Sequence, residues 1–427
     1  MTVHQSDTGS DQQQSVDLFS ALRAADEAQQ RLMVTRSADR SQGLFAMAEA
    51  LSRATDLILE ANTLDLESSR ELDLSPIVLR WLKLTPERLQ QMVEILERLG
   101  NLPDPIRQAV RSPYPMHHCQ SFSQLRPLGV VALVYEALPE LGAIMAGMGI
   151  KTGNSVVLFG CREAKHTNGA IALALSEGLA ASKLPDDCLV VLPSEQDFYV
   201  RDLVVQDRYL DLVIPYGRPK WVFQVSQRAT VPVLQAALGN CYLYWASSGD
   251  ADTVRWVVRD SHGNEPDAVN AVEKVLVSDR HSRPTVSMLI DSLQAEGFKV
   301  RGDQTLCREF PELPLVGEGE WRSPYLSKTV ALRLVSGLDE ALPWIRTNSS
   351  NHADCIVTES YQEAHEFALG LESASIHINA SPRFQRNPRG SGSVLLGMSN
   401  QKGYRRGPIG LESLTTSKQI IQGDGVP

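Results

Sequence analysis

The stretch Pro127-Leu128-Gly129-Val130-Val131-Ala132-Leu133-Val134-Tyr135-Glu136, followed after a short apolar segment by Lys151-Thr152-Gly153-Asn154-Ser155-Val156-Val157-Leu158-Phe159-Gly160, decides the fold. Residues 129–135 are an unbroken apolar run rich in β-branched side chains, which reads as a strand buried on both faces. Residues 142–150 read as a helix that Thr152-Gly153-Asn154 ends, and 155–159 are a second strand. Strand, crossover helix and strand make a βαβ unit, so the sheet is parallel. A membrane helix needs about 20 apolar residues. Glu136 and Glu140 interrupt this stretch, so it reads as core.

The alternation continues downstream. Strands are predicted at 188–192, 210–214, around 231–234 and at 242–245, with helices at 167–181 (capped by Thr167 or Asn168), 195–205 and 220–229. After residue 263 a second alternating region begins. It has strands at 272–277, 299–300, 329–335, 353–358 and 375–378, and helices at 285–296, 338–347 and 361–371. Upstream, residues 16–101 have helical periodicity. Leu44, Met47, Leu51, Ala54 and Ile58 fall on one face. Thr85 caps a further helix with Pro86 in its first turn, and Gly100 is expected to stop it. The tail from 381 is rich in Gly, Arg, Ser and Thr and reads as loops plus a hairpin.

The 427 residues suggest two or three domains at roughly 150 residues each. Forty-one basic against 51 acidic side chains leave a formal charge of −10, which argues against nucleic acid or an anionic membrane as partner. Residues 1–15 are polar and read as a disordered tail. The six cysteines (Cys119, Cys161, Cys188, Cys241, Cys307, Cys355) form no CxxC and read as reduced thiols of a cytoplasmic protein. No GxGxxG, P-loop, HExxH, GxSxG or zinc spacing is present. His117-His118 are adjacent, so on a strand they point opposite ways and do not suggest a metal pair.

Several separate motifs occur in a characteristic order: Leu84-Thr85-Pro86-Glu87-Arg88; Leu102-Pro103-Asp104-Pro105; the βαβ unit above; Ala229-Thr230-Val231-Pro232-Val233 with Gly239-Asn240-Cys241; and a tail containing Asn379-Ala380-Ser381, Arg383-Phe384, Gln401-Lys402, Arg406-Gly407-Pro408 and Gly410-Leu411-Glu412. On these residues the chain resembles γ-glutamyl phosphate reductase (glutamate-5-semialdehyde dehydrogenase), of the aldehyde dehydrogenase superfamily. The resemblance implies an α/β fold of two Rossmann-like parallel-sheet domains plus a small oligomerisation flap. It places a cofactor-type domain at 16–112 and 124–264, a catalytic-type domain at 265–378, and the flap and C-terminal return at 113–123 and 379–427. It also implies NADPH as cofactor and a cysteine thiolate that attacks an acyl phosphate in proline biosynthesis. A homo-oligomer is implied too, dimer or tetramer.

At the positions the chemistry uses, the sequence departs from the family. The nucleophile segment reads Val269-Asn270-Ala271-Val272-Glu273, so Val269 stands where the family has cysteine. Valine has no nucleophilic atom, whereas a thiolate is what the reaction needs. Glu140 stands at the oxyanion asparagine, and Leu138 replaces the arginine before it. On the cofactor side Phe159 replaces a basic residue, Arg162 and Glu163 follow, and Tyr216-Gly217-Arg218 replaces an Arg-Gly-Gly turn. Pro324 stands where a ribose-binding glutamate is expected. The resemblance leaves Glu163, Arg162 and Gly217 as cofactor-side residues and Asn270, Ser381 and Arg383 as substrate-side residues.

Two functional readings follow. One is an NADPH-dependent reductase that makes glutamate-5-semialdehyde from L-glutamyl 5-phosphate. The other is a catalytically silent paralogue that binds a ligand or partners an active reductase or a glutamate 5-kinase.

Overall fold

The computed structural model describes residues 17–70, 74–106, 109–111, 119–193, 198–263, 268–388, 390, 392–403 and 406–423. The polar tail 1–15 and His117-His118 lie outside them. Five helices open the described chain: Leu18–Val34, Ser37–Arg53, Thr55–Ser69, Pro76–Leu82 and Pro86–Asn101. Thr85 caps the last as expected, its hydroxyl accepting from Arg88 N. Gly100 does not stop that helix, which runs to Asn101. A Cβ on Gly100 would lie 2.7 Å from the Phe45 ring, so glycine is there to let the helix Ser37–Arg53 approach.

Short strands β1 (Ala109–Arg111) and β2 (Cys119–Pro127) precede a five-stranded parallel sheet. Its strands are β3 (Val130–Tyr135), β4 (Ser155–Gly160), β5 (Leu189–Val191), β6 (Leu212–Gly217) and β7 (Ala236–Ala237), in the order β5-β4-β3-β6-β7. A six-stranded parallel sheet follows. It contains β8 (Cys241–Trp245), β9 (Val272–Ser278), β10 (Lys299–Gly302), β11 (Thr329–Val335), β12 (Ala353–Val357) and β13 (Ser375–Ile378), in the order β10-β11-β9-β8-β12-β13. The tail supplies β14 (Gly397–Ser399) and β15 (Gly407–Ile409), an antiparallel pair, and β16 (Thr415–Gly423), which runs antiparallel to β2.

Strands β3, β4 and β6 are buried at every position, as their continuous apolar runs require when helices cover both faces. The helix Glu140–Thr152 carries Gly142, Gly147 and Gly149. A Cβ on Gly147 would lie 2.4 Å from Leu96, so its absence lets this helix nest on Pro86–Asn101. Gly153 ends it in the left-handed conformation, at φ 76°.

Three expectations need correcting. The strand expected around 231–234 is a single bridge, Val213 to Val233, and pairing resumes at β7. Pro232 has no N–H to give a ladder; its carbonyl accepts from Val213 N at 2.9 Å. The helix expected to start at Thr167 or Asn168 is Lys165–Ala180 and has no cap of its own. Asp65, from the helix Thr55–Ser69, accepts from His166 N at 3.1 Å, Thr167 N at 2.7 Å and the Thr167 hydroxyl at 2.6 Å. The carboxylate that satisfies that N-terminus therefore comes from another helix. Finally, the tail is more than loops and a hairpin: Phe384, Val394, Leu396, Met398, Ile409, Leu411 and Leu414 are buried in the core of the first sheet.

The residues between β7 and β8 form the seam between the two sheets. Fully buried His352 bonds Ala237 O through Nε2 at 2.8 Å and the Ser350 hydroxyl through Nδ1 at 2.8 Å. Asn240 donates to Trp321 O at 2.8 Å and Asn348 O at 3.0 Å. Asp354 accepts from Tyr242 N at 2.8 Å and from the hydroxyls of Ser349 and Ser373. Among the described residues no helix is long and apolar enough to cross a membrane.

Candidate functional site

In an open parallel sheet, ligands bind beyond the carboxyl ends of the strands, at the point where strand order reverses. Here the chain runs from β3 outward through β4 and β5, then returns to β6 on the other side of β3, so the reversal lies between β3 and β6. A cavity of about 680 Å³ opens there. It is lined by Glu136, Phe159, Arg162, Glu163, Val200, Arg218 and Trp221, among others. Glu163 and Arg162, two of the three residues named on the cofactor side, thus share one cleft with Phe159 and Arg218.

The reversal point is occupied by an ion pair. Tyr135 and Tyr216 are in register at the ends of β3 and β6, so Glu136 meets the turn after Gly217. Arg218 Nη2 lies 2.6 Å from Glu136 Oε1, and Arg218 N donates to Glu136 Oε2 at 2.6 Å. A Cβ on Gly217 would lie 2.4 Å from Glu136 Oε2. Both residues were noted separately in the sequence; the pairing was not. It follows from neighbouring parallel strands ending at the same level.

On the turn after β4, the Cys161 thiol is pushed well up by burial and by the Glu163 carboxylate. The other cysteines with described surroundings are raised as well. Burial holds Cys241 and Cys355 well up and Cys188 at about 12, and it also raises half-buried Cys307. None is a ready thiolate.

Val269 is 1 % exposed and packs in the hydrophobic core of the first sheet. Its carbonyl accepts from Gly239 N at 2.8 Å, tying the turn before β9 to the sheet seam. Asn270 is buried beside it and donates to Pro382 O at 3.2 Å, which brings it to the Ser381–Arg383 segment. The Ser381 hydroxyl accepts from Arg383 N at 3.3 Å, and Arg383 Nη1 reaches Asp260 at 3.3 Å. Glu140 has a different partner. Its Oε1 is bonded to Arg88 Nη2 on the helix Pro86–Asn101, with both side chains largely buried.

Three residues after Asn270, the chain carries a further buried charge. Glu273 is buried and accepts from the amides of Tyr325, Leu326 and Ser327, with Leu326 at φ 53°. Burial raises the Glu273 carboxyl and lowers the neighbouring Lys274 ammonium, and each offsets part of the other's shift. The Lys274 ammonium also sits 3.7 Å over the Tyr325 ring. The loop that carries Pro324 is thus held by its own backbone amides. Sequence reading missed this pair; the only signal was a charged Glu-Lys inside an apolar strand.

NADPH is the group the resemblance implies for the cleft. The apolar wall and Glu163 suit a nucleoside. The diphosphate corner does not suit two phosphates: the Glu136 carboxylate fills the space over Gly217, and the Arg218 amide at the helix start is already engaged.

The two parallel sheets and small antiparallel sheet are the architecture of aldehyde dehydrogenases. A propionaldehyde dehydrogenase from the Clostridium phytofermentans fucose utilisation bacterial microcompartment superposes with a TM-score of 0.71 over 96% of this chain and 98% of its own, at 12% identity, a likeness of fold alone. Gamma-glutamyl phosphate reductase from Thermotoga maritima superposes with a TM-score of 0.88 at 28% identity, covering 96% of this chain and 99% of that one. In sequence, the chain is 53% identical to Gamma-glutamyl phosphate reductase 2 of Synechocystis over 387 residues, 90% of this chain and 92% of the relative. The chain belongs to the gamma-glutamyl phosphate reductase family. No family model matches it.

Proposed function

We propose that this chain keeps the scaffold of its family without the thiol step, and acts as a ligand-binding or structural partner of an active reductase or a glutamate 5-kinase in the cytoplasm. One observation carries this reading: the residue at the nucleophile's place is Val269, closed into the hydrophobic core. Covalent reduction of an acyl phosphate needs a thiolate to form the acyl intermediate, and the described thiols are all shifted toward the protonated form. Glu140 adds to it. A carboxylate at the oxyanion position, engaged by Arg88, offers no hydrogen bond to a developing oxyanion.

A second reading is favoured by the 53% identity to a relative named as a reductase. In it the chain reduces L-glutamyl 5-phosphate with NADPH, and a group other than residue 269 takes the nucleophile's role.

One assay separates the two: oxidation of glutamate-5-semialdehyde by the full-length protein, with NADP⁺ reduction followed, alongside Val269→Cys. The silent reading expects no turnover from the wild type. Turnover by the wild type overturns it. We propose self-association as well, supported by β16, which pairs with β2 and whose residues beyond Thr415 are almost all exposed. Sedimentation of the protein alone and mixed with a glutamate 5-kinase tests both forms of partnership.

A further inference from the structure

A second cavity, of about 1420 Å³ against about 680 Å³ for the cofactor-side cleft, opens beyond the carboxyl ends of β10 and β11. It lies between segment 315–322 and the helix Leu338–Asn348, with Asp303 following β10 and Ser336 following β11. Its apolar lining is buried Val316 and Trp321 and half-buried Trp344, the two indole rings meeting edge to face at 5.7 Å. Leu315 adds an apolar side chain that is 56 % exposed. Small-molecule pockets run to roughly 300–1,000 Å³, so this groove is sized for a polypeptide segment.

Four carboxylates and two guanidinium groups line the groove. Three of the six satisfy one another. The Arg333 guanidinium lies 3.9 Å over the Trp344 ring, with Glu340 Oε1 3.2 Å from Nη2 and Asp303 Oδ2 3.7 Å from Nη1. Asp303 also accepts from Leu306 N at 2.8 Å, and Glu340 from Ser336 N at 3.0 Å. Arg322 Nε donates to Asn348 Oδ1 at 3.3 Å, which keeps this cation beside the sheet seam, where Asn348 O accepts from Asn240. Glu318 and Asp339 remain. Both are exposed, one comes from each flanking element, and among the described residues neither has an ion-pair partner. Pro343, inside the helix, has no N–H to give the Asp339 carbonyl. The groove therefore offers a backbone acceptor without its helical partner beside a free carboxylate.

We propose that this groove docks an extended basic segment of a partner protein. Lysine or arginine side chains meet Glu318 and Asp339, an apolar side chain between them packs against Leu315, and a backbone amide of the segment donates to the Asp339 carbonyl. An acidic segment would meet the excess of carboxylates, with Arg322 alone to offset it. The proposal rests on the partner reading above and names the surface and the chemistry of that partner. The two fail separately. Turnover by the wild type sinks the silent reading and leaves the groove as it is, and a groove that takes no basic peptide leaves the argument from Val269 as it is.

The test is fluorescence anisotropy of the full-length protein with a short labelled peptide of lysine and serine around a central leucine, and with the same peptide carrying glutamate for lysine. The lysine peptide is expected to bind at least about tenfold more tightly than the glutamate peptide. Glu318→Gln combined with Asp339→Asn is expected to weaken it about tenfold. Asp56→Asn combined with Glu60→Gln removes the same charge from the exposed face of the helix Thr55–Ser69 and is expected to change it less than about twofold. Leu315→Ser is expected to weaken it about threefold. A lysine peptide that does not bind the wild type, or a glutamate peptide that binds as tightly, overturns the proposal. Equal weakening by the two charge pairs would reduce the binding to net charge and overturns it too. Displacement by spermidine at the peptide's own concentration would mark a small-cation site, and loss of self-association in the Glu318→Gln, Asp339→Asn protein would assign the groove to a second copy; either result overturns it.

Discussion

Two polar regions of this molecule are built in opposite ways. At and beside the seam between the sheets, buried His352 holds Ala237 O of the first sheet, Asn240 holds Trp321 O and Asn348 O, and Asp354 holds Tyr242 N on the neighbouring strand of the second sheet. At the two positions that the resemblance assigns to the reaction centre, Val269 is closed into the core and Glu140 is bonded to Arg88. The seam groups are required by the fold itself, because removing one strands a buried donor or acceptor. On the proposed silent reading, the groups at the other two positions answer only to a ligand. Without that requirement, an apolar side chain or a buried ion pair can fill the same space.

The sharpest way to break this contrast is Asp354→Ala. It leaves the Tyr242 amide and the hydroxyls of Ser349 and Ser373 without their shared acceptor. The expected loss in urea unfolding is about 3 kcal/mol or more. A loss under about 1 kcal/mol would place the seam in the same class as the reaction centre.

A smaller effect tests His352 through pH. Burial lowers its pKa from 6.5 to about 4, so the fold holds it neutral. The unfolded chain takes up the proton as pH falls through 6.5, and the folded chain does so only near 4, so its contribution is present above pH 6.5 and is lost on acidification. Glu273 and Asp354, raised by burial, run the other way and mask this in the wild type alone. The measurement is therefore the difference between wild type and His352→Gln. The destabilisation by the variant should be about 2 kcal/mol smaller at pH 5 than at pH 7. A constant difference would mean that His352 is not the group held neutral.

Glu140→Ala comes next. It removes the acceptor of a mostly buried pair, but Arg88 keeps its bonds to Trp81 O at 3.2 Å. The expected cost is about 1–2 kcal/mol by thermal or urea unfolding. A stabilised variant would show that the pair at this position is held for something other than the fold. The smallest effect belongs to Val269→Cys. The two side chains are close in volume, so stability should change by less than about 1 kcal/mol. The new thiol should stay silent toward a polar thiol reagent until the protein is unfolded. Fast labelling in the native state would show an open path to residue 269 and count against its place in the core.

Much of this was legible along the chain. The apolar runs of β3, β4, β6 and β9, the cap at Thr85 and the stop at Gly153 are local signals, and the structure has them where they were expected. The misplaced features have a common cause. Gly100, the start of Lys165–Ala180 and the strand around 231–234 are each decided by a partner distant in sequence: Phe45, Asp65 and Val213. In the candidate site, Val269 and Glu140 were visible as residue types. Their consequence was not, since burial in the core and the bond to Arg88 are properties of packing.

By itself the sequence determined the two parallel sheets, the family and the absence of a sulfur atom at position 269, because apolar period, motif order and residue identity are written along the chain. Only the tertiary structure decided which charges meet. Glu136 and Arg218 lie far apart in sequence and become partners because β3 and β6 are neighbouring parallel strands that end at one level. A charge next to an unpaired helix amide and a charge already paired there have opposite meanings for a phosphate, and only spatial neighbours separate the two.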